Sequence, residues 1–111
     1  MSVTFSNGPG RAYAHEAITV DATAGGKGFT GTVVRTWDSG TAVKTVASEV
    51  LVSAETAEMR YTVDGTTVTS TVGHLLSIGD VVVIAGLSNI DNFRAIRTGG
   101  SSGALKVTFF E

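Results

Sequence analysis

The stretch Ala57-Glu58-Met59-Arg60-Tyr61-Thr62-Val63-Asp64 alternates apolar and polar residues. Side chains two apart in a β-strand share a face, so Ala57, Met59, Tyr61 and Val63 read as the inward side of a half-buried strand and Glu58, Arg60, Thr62 and Asp64 as its outer side. Asp64-Gly65 closes the strand, because aspartate tolerates left-handed geometry and glycine adopts it freely.

The same period of two recurs on either side. Ile18, Val20 and Ala22 oppose Thr19, Asp21 and Thr23, and Ala24-Gly25-Gly26-Lys27-Gly28 ends that strand. Residues 30–37 set Thr32, Val34 and Thr36 against Val33, Arg35 and Trp37, a second strand closed by Asp38-Ser39-Gly40. Residues 43–53 also fit a helical spacing, but the β-branched Val43, Thr45, Val46, Val50 and Val52 favour two short strands. Residues 66–73 read as a polar connection. Val81-Val82-Val83-Ile84-Ala85 is apolar on both faces, the pattern of a sheet centre or of a strand between packed layers. Residues 87–92 read as a turn and 93–98 as a strand, with a bulge near Arg94-Ala95 that would bring both Phe93 and Ile96 inward. Residues 104–110 form the last strand. About eight short strands with frequent turn signals predict an all-β, single-domain antiparallel two-sheet sandwich, jelly-roll or immunoglobulin-like. Residues 1–16, which alternate poorly and contain Asn7-Gly8-Pro9-Gly10, read as an extended N-terminal arm, and residues 17–111 as the β-sandwich domain.

Composition sets bounds on chemistry and partners. At 111 residues the chain suits one domain. It has no cysteine, which excludes disulfides, thiolate nucleophiles and cysteine-held zinc or iron–sulfur centres. Eight basic against ten acidic residues provide no net positive field to concentrate a polyanion, so no nucleic-acid partner is expected. The apolar run of residues 81–85 is far short of the ~18 residues of a membrane span, and Met1-Ser2-Val3-Thr4-Phe5 lacks the features of a signal peptide.

The candidate motifs each resolve into turns. Gly99-Gly100-Ser101-Ser102-Gly103 has the spacing of a hydrolase nucleophile elbow, but a strand follows it instead of a helix and no histidine lies beyond it; it reads as a hairpin loop. Gly25-Gly26-Lys27-Gly28 lacks the first glycine and the final hydroxyl of a phosphate loop. His15 and His74 are too few for a zinc site, and His15 and Glu16 point to opposite faces of a strand. Asp64, Asp80 and Asp91 each sit at a turn that explains them without a ligand. No catalytic, cofactor-binding or metal-binding residue is therefore assigned, and an enzyme is not expected. Arg60, Arg94 and Arg97 form a basic spot suited to carboxylates across an interface if their strands are neighbours. Tyr13, Trp37 and Phe110 fall at positions whose parity exposes them; sugar stacking would need two of them coplanar.

Taken together, Arg60-Tyr61-Thr62-Val63-Asp64-Gly65-Thr66-Thr67-Val68-Thr69, Gly73-His74-Leu75-Leu76, Gly79-Asp80, Asn89-Ile90, Phe93-Arg94-Ala95-Ile96-Arg97 and Leu105-Lys106-Val107-Thr108-Phe109-Phe110 resemble small structural proteins of tailed bacteriophages, of the head decoration or cement kind. The resemblance covers about the last half of the chain. It implies a virion location, on the phage head surface, where the protein would stabilise the assembled shell by bridging subunits of the major capsid protein. A neck, tail or fibre-attachment role is the alternative, with other virion proteins as partners. It also implies a homo-oligomer, a trimer or dimer. The expected contact residues are Val3 and Phe5 of the arm, Phe109 and Phe110 at the C-terminus, which fall outside the alternating core pattern, and Arg60, Arg94 and Arg97. A shorter likeness links residues 60–69 to immunoglobulin-like accessory domains of chitobiase-type glycosidases, which commonly have proline where this chain has Val68, and implies a carbohydrate-binding module.

Overall fold

The computed structural model describes residues 10–38 and 42–111. In chain order these form β1 (Ala12–Val20), a single helical turn α1 (Gly31–Val34), β2 (Arg35–Asp38), β3 (Ala42–Val46), β4 (Glu49–Glu55), β5 (Met59–Thr62), β6 (His74–Leu76), β7 (Val81–Ala85), α2 (Leu87–Asn92), β8 (Arg94–Arg97) and β9 (Gly103–Phe110). A four-stranded sheet runs β1-β9-β4-β7, a three-stranded sheet β6-β5-β8, and β2 and β3 pair with each other. Every pairing is antiparallel. The all-β, single-domain sandwich read from the alternation is the fold.

The core follows from strand parity. Val50, Val52 and Ala54 of β4 and Leu105, Val107 and Phe109 of β9 point inward onto Met59, Leu76 and Ala95 of the smaller sheet, and all are buried. Aromatic rings link the two layers. Phe93 stacks on Phe29 with centroids 4.4 Å apart and on Tyr61 at 5.7 Å, while Phe29 meets Phe109 edge-on at 5.7 Å. Such offset and T-shaped pairs add ~0.5–1.5 kcal/mol each beyond the burial of their area. A Cβ on Gly103 would lie 2.5 Å from Met59 Sδ, so a larger residue there would force the buried Met59 side chain to move.

The flanks of the sandwich differ. On one, the chain beyond β1 bonds to β8: Arg97 N–H donates to Asp21 C=O at 3.2 Å, and Lys27 and Ala95 exchange backbone bonds of 2.8 and 2.9 Å. On the other, the short link over residues 77–80 carries the chain directly from β6, the edge of the small sheet, to β7, the edge of the large one.

Several sequence expectations are corrected. Residues 12–16 belong to β1 and not to an arm; the register slips between Ala12 and Ala14, so Tyr13 and Ala14 both pack on the core and the alternation is hidden. Residues 31–34 are a helical turn instead of strand, with Val33 and Val34 N–H both bonded to Thr30 C=O, because a straight strand cannot turn both valines inward. Residues 87–92 are the short helix α2, which buries Ile90. No bulge interrupts β8: its register with β5 is regular, Phe93 and Ala95 face the core, and Ile96 is buried on the opposite face. Finally, β7 lies at a sheet edge and not at a centre.

Candidate interaction surfaces

Residues 60–73 build one local unit. Arg60 spreads its guanidinium across the connection after β5, Nε donating to Ser70 C=O at 3.1 Å and Nη1 to Gly73 C=O at 2.9 Å. Thr62 Oγ1 donates to Thr66 C=O at 2.8 Å. Asp64 Oδ1 accepts the Thr66 N–H at 3.0 Å, which holds its carboxyl below the usual aspartate range. Folded back in this way, the connection presses Val68 onto the outer side of the small sheet, where Val68 and Ile96 are both buried. The two glycines beside Val68 have positive φ, and a Cβ on Gly26 or Gly73 would come within 2.7 or 3.1 Å of it. Residues 66–73 are thus a lid over a second small apolar cluster and not merely a polar link. Further on, Asp80 Oδ2 accepts the Ser77 N–H at 2.8 Å and Asn89 Nδ2 donates to Ala85 C=O at 2.9 Å.

The expected contact residues separate. Val3 and Phe5 lie outside the described residues. Phe109 is fully buried among Phe29, Tyr13 and the core valines and is withdrawn as a surface contact, since β9 parity turns it inward. Phe110 points the other way and is half-buried on the outer face of the large sheet. The three arginines do stand on neighbouring strands, yet they do not form one spot. Arg60 and Arg94 share a face by register while Arg97 has the opposite parity beside Met59. Arg94 turns to the end of α2, Nη1 donating to Asp91 C=O at 3.0 Å and Phe93 C=O at 2.6 Å. Arg97 reaches Ser102 Oγ at 3.5 Å and borders a hollow of about 520 Å³ lined also by Ala22, Val68, Thr69 and Ile96.

The remaining motifs fall as follows. The glycine–serine stretch of residues 99–103 crosses between sheets and is not a hairpin loop, because β8 and β9 belong to different layers. His15 Nδ1 lies 3.2 Å from Thr108 Oγ1, Glu16 Oε1 accepts the Thr30 N–H at 3.0 Å, and the His74 ring stands 5.5 Å from that of Tyr61. Among the described residues no three histidine or acidic side chains come together in a way that could hold a metal ion. Asp91 receives the fork of Arg35 at 2.9 and 2.7 Å, which lowers its carboxyl pKa and ties β2 to α2. That pair is 56 residues apart in the chain, and nothing in the local sequence announces it.

Two surfaces are left for partners. The outer face of the large sheet carries Leu51, Ser53, Val81, Val83, Thr108 and Phe110, all half-buried. The β2–β3 pair exposes Trp37 and Val43 directly opposite each other, 51% and 46% accessible. Trp37 borders a hollow of about 300 Å³ with Arg11, Tyr13, Thr36, Lys44 and Thr45. The Tyr13 hydroxyl is turned inward to Val33 C=O at 2.8 Å. Among the described residues no helix is long and apolar enough to cross a membrane. No family model, curated protein or solved structure matches this chain.

Proposed function

We propose that this chain is a non-enzymatic structural protein of a tailed-phage particle, a head decoration or cement protein that bridges coat subunits as a homo-oligomer, working by shape and burial. One observation carries the reading. The residues that resemble phage structural proteins spend their polar groups on their own backbone: Arg60 on Ser70 and Gly73, Asp64 on Thr66, Asp80 on Ser77, Asn89 on Ala85. Residues used in this way specify a rigid surface. A protein that binds only the assembled shell stabilises it by linkage, and several contacts per oligomer add avidity.

The contacts proposed are Val3 and Phe5 of the N-terminal segment, Phe110 on the open sheet face, and Arg94 and Arg97. The test is to remove residues 1–9, which precede β1, and measure cosedimentation with phage heads lacking the protein. The full chain should pellet with heads and the shortened chain should stay in solution with an unchanged far-ultraviolet spectrum. Equal pelleting of both overturns the arm contact. Locating the protein in the intact particle separates stations: many copies over the head mean decoration, and a few at one vertex mean a neck or fibre role. A carbohydrate-binding role is favoured by one feature, the exposed Trp37 beside a polar hollow. Because Trp37 is the only tryptophan, its fluorescence during oligosaccharide titration reports on that reading directly.

A further inference from the structure

β7 is an edge strand of the large sheet. Ala54 N–H donates to Asp80 C=O at 3.0 Å and Gly86 N–H to Ser48 C=O at 2.9 Å, so even-numbered positions along this edge face β4. The odd ones, Val81, Val83 and Ala85, therefore turn their N–H and C=O groups away from the sheet. Of these, Ala85 C=O is taken by Asn89 Nδ2. No proline, no charge and no bulge occurs in Val81–Ala85, its register with β4 is unbroken, and among the described residues no strand pairs with its outer side. Apolar side chains crowd the same flank, with Ile78 63% and Leu75 48% accessible.

We infer that β7 pairs with β7 of a second copy, antiparallel and centred on Val83, joining two four-stranded sheets into one continuous sheet. A strand whose outward groups sit at alternate positions around a central residue is self-complementary under a two-fold axis. The Val83 residues exchange both of their bonds, and each Ala85 N–H donates to Val81 C=O of the other copy, leaving the Asn89 contact intact. The charge pattern permits this approach. Residues 75–90 carry one charged side chain, Asp80, which this register sets opposite Gly86 of the other copy, so no like charges meet across the axis. The inference goes further than the virion reading and stands on the sheet edge alone, so head binding and dimerisation can fail independently.

Sedimentation equilibrium of the full chain across the micromolar range tests it, alongside Val83→Pro and Val81→Lys. Proline removes an N–H that faces away from β4, and lysine sets a charge on the otherwise uncharged edge opposite Ala85 of the other copy, so neither takes a bond from the fold. The full chain should populate dimer, and each variant that keeps the far-ultraviolet spectrum should weaken dimerisation at least tenfold. Amide exchange is the second readout. Val83 and Ala85 should be protected at high concentration and lose protection on dilution, while Val82 and Ile84 stay protected throughout. A chain that remains monomeric, a trimer, a dimer equally strong in both variants, or protection of Val83 and Ala85 independent of concentration overturns the inference.

Discussion

Phe109 and Phe110 are adjacent and chemically identical, yet strand parity gives them opposite fates. Phe109 enters the core between Tyr13 and Phe29, and Phe110 lies half-buried on the outer sheet face. Replacing Phe109 by alanine removes a fully buried ring and should cost ~3–5 kcal/mol, a large share of the ~5–15 kcal/mol that holds a domain of this size together. Phe110→Ala should cost well under half as much. Urea unfolding of the two variants checks this, and equal shifts in midpoint would mean that the parity of β9 is misassigned. The sequence showed that neighbours on a strand diverge, but not which of the two the fold would take. Phe29 was harder still. It sits among turn glycines with no period around it, and only the arrival of Phe93 and Phe109 from distant strands makes it a core residue.

Single elements here are held by contacts that their own sequence does not reveal. Among the described residues β2 has β3 as its one strand partner, and it is fastened to α2 by the bidentate Arg35–Asp91 pair. Hydrogen bonding to Arg35 holds the Asp91 carboxyl below its ordinary value of 3.8, so the folded chain binds this proton less readily than the unfolded one. The stability it contributes is complete above 3.8 and is lost as pH falls through the lower, folded value. Asp64, held by Thr66, Asp21, held by Thr23, and Glu111, held by Arg11, act with the same sign. Thermal stability should therefore decline in acid. Asp91→Asn should be less stable than the parent near neutrality and converge on it as pH falls below the lowered folded value, with the gap narrowed by salt because the pair is partly exposed. Melting curves that stay parallel from neutral to acid pH would count against the pair as a tie between β2 and α2. The strand at residues 58–64 was legible because one face is buried and the other is not. The turn at residues 31–34 was not, because two adjacent valines both had to be buried, which alternation cannot express.

The whole molecule is closed by its C-terminal strand, since β9 lies between β1 and β4 and supplies Leu105, Val107 and Phe109 to the core. A chain ending at Ser102 should be unfolded by far-ultraviolet circular dichroism, whereas loss of residues 1–9 leaves every described strand pairing in place. A folded product from the first truncation would contradict the strand order. Such long-range pairing also predicts folding on the millisecond-to-second scale of β-sandwiches. By itself, the sequence determined that the chain makes short strands with one face inward, that glycine turns separate them, and that no disulfide staples them. Those properties depend on neighbours within a few residues. Only the tertiary structure decided which strand lies at an edge, which face of the sheet stays open, and which arginines are consumed by nearby carbonyls. The apolar run at residues 81–85 has the composition of a central strand and occupies an edge. Burial depends on what the rest of the chain places beside a residue, and a local pattern records only that residue's own tolerance for being covered.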